Sequence, residues 1–152
     1  MLNKLKTSIR TLIGIKIDVM KLRITIVITL TFLMTNVFAQ EKTEYKTETT
    51  IPYYNEDTMK GDKYMQKMCV FDFYYPTNIK NFSTIIWFHG GGLTGGKRQI
   101  PEFLKEKGIA VIGVGHRLSP NIKAVDVIKD AAAATAWAFK NIEKYGGSTS
   151  LI

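Results

Sequence analysis

Hydrophobic positions fall into two kinds of run along this chain. Met68–Tyr75 (MCVFDFYY) is rich in aromatic and branched residues and is stopped by Pro76, which predicts a strand. Thr84–Phe88 (TIIWF) and Ile109–Gly115 (IAVIGVG) are short apolar blocks of the kind that fill buried strands. Glu41–Thr50 alternates charged residues and Thr around Tyr45, as an exposed first strand would, and Ile51-Pro52-Tyr53-Tyr54 ends it. Asn55–Lys63 is polar, contains Gly61 and reads as a turn. The second kind of run has helical period. Val125, Ile128, Ala132, Ala136, Phe139 and Ile142 recur at spacings of three and four within Lys123–Tyr145, which predicts one long helix laying that face on a sheet. Gly146-Gly147 stops it, Ser148–Ser150 turns, and Leu151-Ile152 reads as the beginning of a further strand. A shorter helix is predicted from Pro101 to Gly108. Pro101 suits a first turn, Glu102 the positive end of the dipole, and Gly108 the stop.

Strands alternating with helices define an α/β domain, with a mostly parallel sheet and flanking helices. Composition agrees: 45% hydrophobic, 22% charged and 17 aromatics among 152 residues is enough for a packed core. The net charge of +8 suggests nucleic acid until it is mapped. Residues 1–39 carry six Lys/Arg against one Asp, whereas residues 40–152 carry fifteen against twelve, so the domain itself has no nucleic-acid footprint.

The basic N-terminal segment reads as a secretory signal. Lys21 and Arg23 precede an uncharged run, Ile24–Phe38, and Val37-Phe38-Ala39 has the small-residue pattern cleaved after Ala39. That run of 15 residues is short for a membrane span, which needs about 20. Met20 then marks the expected start, residues 1–19 an upstream extension, residues 1–39 the leader, and residues 40–152 the mature, secreted or periplasmic domain. Any membrane contact runs through the leader alone. Cys69, the one cysteine, has no disulfide partner and reads as a small buried hydrophobe.

The chemistry concentrates in His89-Gly90-Gly91-Gly92-Leu93-Thr94-Gly95-Gly96-Lys97-Arg98, directly after an apolar strand. Gly91–Lys97 fits a phosphate-binding loop, but Arg98 stands where such a loop needs the Ser or Thr hydroxyl that holds Mg²⁺. The other reading is a cradle for an oxyanion. Consecutive glycines let backbone N–H groups approach a ligand with no Cβ in the way, and such donors stabilise a tetrahedral intermediate.

Read in order, several segments resemble α/β-hydrolases of the HGGG-type esterase/lipase group, in particular secreted bacterial carboxylesterases and acetyl- or feruloyl-esterase-like members. They are Phe71–Pro76, Trp87–Gly92, Gly115–Pro120, Asp130–Trp137 and Tyr145–Gly147, and together they cover about residues 65–152. The resemblance implies the N-terminal half of that fold. It implies that Gly91 and Gly92 supply oxyanion N–H groups, that His89 and Gly90 support the loop, and that Arg117 pairs with Asp130. It also implies hydrolysis of a small-molecule or carbohydrate-linked carboxylic ester, without cofactor or metal. His116 departs from the Tyr usual at its position, and Ser148 from the usual Asp.

The nucleophile elbow G-x-S-x-G of such enzymes occurs nowhere in the sequence. Ser148 lies in a turn, and His116 reads as a surface or packing residue. The expectation is therefore a domain that ends before its catalytic Ser, Asp and His, inactive alone, with Thr84–Phe88 left as an apolar edge strand. Two alternatives stay open: a fragment of a same-fold amidase or peptidase, and a non-catalytic binding remnant.

Overall fold

The computed structural model describes residues 10, 14, 16–29 and 42–152. Two units are present, residues 1–42 and 43–152. In the first, residues 16–29 are helical. Among the described residues no helix is long and apolar enough to cross a membrane. The expected cleavage site Val37-Phe38-Ala39 lies outside the described residues.

The second unit is built on strands β1 (Tyr45–Pro52), β2 (Val70–Pro76), β3 (Thr84–Phe88) and β4 (Ala110–Val114) in the order β1-β2-β4-β3. The four strands predicted between Glu41 and Gly115 are present, and the α/β class holds. The balance of the sheet differs from the mostly parallel expectation. β1–β2 and β2–β4 are antiparallel, and β3–β4 is the parallel pair. The cause is the connection: a glycine loop and a crossover join β3 to β4, whereas β2 runs against both its neighbours. β3 ends the sheet, with Ile85 36% and Phe88 38% exposed, so an uncharged strand edge is open to pairing.

Three further expectations give way locally. Asn55–Lys63 is not a plain turn. α1 (Glu56–Met59) and α2 (Lys63–Met68) form there because Asn55 and Asp62 cap them, each accepting a backbone N–H at 2.8 Å, from Thr58 and Met65. The helix expected over Pro101–Gly108 shrinks to a single 3₁₀ turn, Glu102–Leu104. Pro101 and Lys105 on either side are extended and Glu106 has φ +58°, so the segment is too short to propagate a helix. Leu151-Ile152 does not start a strand either, since Thr149–Leu151 is a 3₁₀ turn.

The long helix α3 (Ala124–Tyr145) forms as expected but turns a different face to the sheet. Val127, Asp130, Ala134, Ala138 and Ile142 are buried, whereas Val125, Ile128 and Phe139 are more than half exposed. Of the expected stripe, Ile142 alone is in the core. The reason is volume. Phe71, Phe73 and Tyr75 on one face of β2 already fill the space between the layers, with Trp137 and Tyr145 edge-on against them. A close-packed interior then admits alanine at the contact rather than large residues.

Asp130 sits in that buried stripe with no exposed surface. Arg117, in the loop after β4, grips it with Nε at 2.9 Å and Nη2 at 2.7 Å, and its backbone N–H donates at 3.1 Å. Tyr54 adds an O–H donor at 3.0 Å. Burial opposes the charge on Asp130, but the hydrogen bonds from Arg117 outweigh it and hold the carboxyl below its usual range. A folded-state carboxyl that titrates lower than in the unfolded chain stabilises the fold above the unfolded value, and the contribution is lost as pH falls through the folded one.

Breaking a buried pair from one side strands a charge. Asp130→Asn should cost about 3–5 kcal/mol in urea denaturation at neutral pH. The gap to wild type should close as the solution is made strongly acid. Exchanging the two residues (Arg117→Asp with Asp130→Arg) should recover only part of the loss, because the backbone and Tyr54 donors have no carboxylate to meet. Independent, additive effects of the two changes would contradict the pairing.

Candidate active site

β3 delivers the chain to His89 at the carboxyl end of the sheet, beside the end of its parallel neighbour β4. Ligands of open α/β sheets bind at such ends. Beyond His89 the loop folds on one of its own carbonyls. Gly91 O accepts the N–H groups of Thr94 and Gly95, both at 3.1 Å, and the Thr94 hydroxyl at 3.2 Å. Gly91 has φ +126°, and a Cβ there would overlap the Gly95 carbonyl oxygen. Gly96 has φ +98°, and a Cβ there would overlap Gly90 O and the His89 ring. The two glycine groups are thus what lets the loop close on itself.

Closure uses carbonyl groups, and the amides are left over. Among the described residues no acceptor takes the N–H of Gly90, Gly91 or Gly92, and all three residues are exposed. These amides are available to an external acceptor. Gly92 differs sterically from Gly91: its φ is +61°, and a Cβ there would meet nothing within 4 Å.

His89 braces the loop. Its Nδ1 lies 2.9 Å from Gly90 O, and since a carbonyl only accepts, Nδ1 carries the proton. The ring stacks on His116, with centroids 4.5 Å apart and planes 14° apart. His116 is buried, not at the surface, with Nδ1 2.9 Å from Arg117 O. A chain of contacts therefore runs from the glycine loop through His89, His116 and Arg117 to Asp130. His116 was legible in the sequence only as a departure from a resembled pattern, because stacking between residues 27 positions apart leaves no local signal.

Ser148 Oγ bonds Ser150 Oγ at 2.8 Å. Cys69 is fully buried, and burial pushes its thiol up to about 11, so it is inert as a nucleophile at neutral pH. Among the described residues no three His, Cys, Asp or Glu side chains are grouped to hold a metal. A cavity of about 390 Å³ opens beside His89, lined by Lys67, Met68, Gly96, Lys97, Arg98 and Gly115.

Sheet order, crossover and a glycine loop at the end of β3 define an α/β-hydrolase. Residues 71–152 match the BD-FAE family, and the chain belongs to it: an α/β-hydrolase-type esterase domain. No curated protein sequence matches the chain. Among solved structures it is similar to esterase B from Lactobacillus rhamnosis (HN001), with 24% identity and a TM-score of 0.56 over 86% of this chain and 42% of that one. It is also similar to a tannase from Fusobacterium nucleatum, with 18% identity and a TM-score of 0.57 over 76% and 32% of the two chains. A bacterial heroin esterase shares 22% identity, with a TM-score of 0.50 over 79% and 38%. These likenesses show the fold, and the chain spans less than half the length of each of the three.

The two glycines separate experimentally. Gly92→Ala should cost about 1 kcal/mol, the strain of a left-handed residue with free space around it. Gly91→Ala should cost about 3 kcal/mol or more in thermal denaturation, because strain and overlap add. Equal losses at the two sites would contradict the loop geometry.

Proposed function

We propose that this chain carries the oxyanion-binding part of a secreted serine esterase acting on carboxylic esters of small molecules or carbohydrates. The observation that supports the reading is the pair of amides on the exposed residues Gly91 and Gly92, without an acceptor among the described residues, beside the end of β3. In acyl transfer the attacked carbonyl oxygen gains negative charge as the tetrahedral intermediate forms. Two N–H groups fixed in advance meet that charge without reorganising, and the loss of one such donor typically costs about 2.7–4 kcal/mol of transition-state stabilisation. His89, Gly90 and the Arg117–Asp130 pair are positioning groups in this reading, because they hold the loop and the layer behind it. The nucleophilic Ser, with the His and acid that serve it, would come from sequence not present here, since no G-x-S-x-G occurs in the chain. The segment through Ala39 would direct export.

An oxyanion site without its triad retains little of the catalysis. The full chain should therefore turn over para-nitrophenyl acetate no faster than its Gly91→Asp variant, and clear turnover above that control would contradict the assignment. DNA sequence downstream of the Ile152 codon separates enzyme from remnant. The esterase reading expects the frame to continue to a G-x-S-x-G within about 15 residues, as the strand-to-elbow arrangement requires. An in-frame stop with no remainder nearby favours a non-catalytic binding remnant.

A further inference from the structure

We infer that Arg98 is a positioning residue of the glycine loop: held by Asp72 and Thr50, it fixes the returning limb that sets the Gly91 and Gly92 amides. The inference rests on the esterase reading only for what those amides bind.

The outgoing limb of the loop, residues 89–92, carries the amides without an acceptor. The returning limb holds it at two points. Gly95 N–H donates to Gly91 O at 3.1 Å, and Gly96 lies so close to Gly90 O and the His89 ring that a Cβ there would overlap both. The loop tip has a tie of its own, since Ser119 N–H donates to Leu93 O at 2.8 Å. Residues 96–100 have no such tie: among the described residues no backbone-to-backbone hydrogen bond involves them. The polar contacts of this stretch, among the described residues, are those of the Arg98 side chain.

Arg98 reaches two strands. Its Nε lies 2.8 Å from Asp72 Oδ2 on β2, and its Nη2 donates to Thr50 Oγ1 on β1 at 3.3 Å. Thr50 closes the ring of contacts, because its N–H donates to Asp72 Oδ1 at 3.0 Å. Thr50 sits where the β1–β2 register shifts between Glu48 and Ile51, and its φ is +60°. A β-branched residue rarely adopts that conformation, and it persists where neighbours hold it. The Arg98 and Asp72 side chains are 26% and 19% exposed, so water screens this pair less than a surface pair. The sheet brings the partners together. Asp72 points to the face of β2 opposite Phe71 and Phe73, and its partner on β4 is Gly113. A Cβ on Gly113 would overlap Gln99 O, so the bare glycine is what lets the returning limb lie flat beside Asp72.

NMR with amide exchange on the full chain tests this in Arg98→Ala, Asp72→Asn and the double variant. Neither side chain belongs to the hydrophobic core, and the β4 amides monitor the fold itself. In Arg98→Ala, Thr94 and Gly95 should exchange at least about fivefold faster relative to the β4 amides, as suits the loss of a mostly covered ion pair. The Gly91 and Gly92 amide resonances should move, although Arg98 makes no polar contact with either residue. Asp72→Asn should have the same effects, and the double variant should lose little more than either single one. The inference is overturned if loop and β4 amides lose protection in equal proportion, if the Gly91 and Gly92 resonances stay in place, or if the two single losses add. Those results would leave the amides without an acceptor and the turnover comparison as they were. Protected Gly91 and Gly92 amides in the wild type would instead sink the esterase reading and leave the Arg98 anchor standing.

Discussion

The structure depends on how the chain leaves β3. A strand that runs into a helix or a sheet neighbour satisfies its next amides with backbone carbonyls. Here the chain instead folds back on Gly91 O, which takes the amides of Thr94 and Gly95. One carbonyl absorbs two later donors, and the earlier donors at Gly90, Gly91 and Gly92 have no acceptor among the described residues. Everything around the loop serves that arrangement. Gly91 and Gly96 permit the backbone contacts, the His89 ring fills the space beside them, and His116 backs the ring. Arg117 then ties the layer to the core of α3 through Asp130.

The energetics of that tie differ from those of the surrounding ion pairs. Lys46–Glu48, Lys105–Glu102 and Lys129–Asp126 lie at the surface and contribute little. Asp130 is buried, and its oxygens accept two bonds from the Arg117 side chain, one from the backbone and one from Tyr54. A buried charge with this many donors is costly to disturb from either side. The loop after β4 is therefore pinned where it supports His89, rather than free to move over the end of the sheet. The proposed oxyanion role would need this property, since a preformed site works by not relaxing.

Much of this was legible in the residues. The strand blocks, the long helix, the open edge at β3 and the glycine loop all carry strong local patterns, and the ordered motifs from Phe71 to Gly147 carried the family. What escaped were features decided by tertiary volume or by distant partners. The buried face of α3 could not be read from hydrophobicity, because two stripes share helical spacing and the aromatics of β2 select the one with small residues. The caps at Asn55 and Asp62 were present in the sequence, but a polar, glycine-containing stretch hid them. The segment at Pro101 has helix signals at both ends and too few residues between them. The stack of His89 on His116 joins two loops that only the β3–β4 pairing brings together, and the cationic cavity beside it draws on three separate elements.

Amide hydrogen exchange resolved by residue tests the central claim most directly. If the loop folds on the Gly91 carbonyl, Thr94 and Gly95 exchange slowly, while Gly91 and Gly92 exchange near the rate of an unprotected chain. Protection at Gly91 and Gly92 comparable to that of the β4 amides would mean that these donors are already spent on the protein, and the loop could not receive an oxyanion.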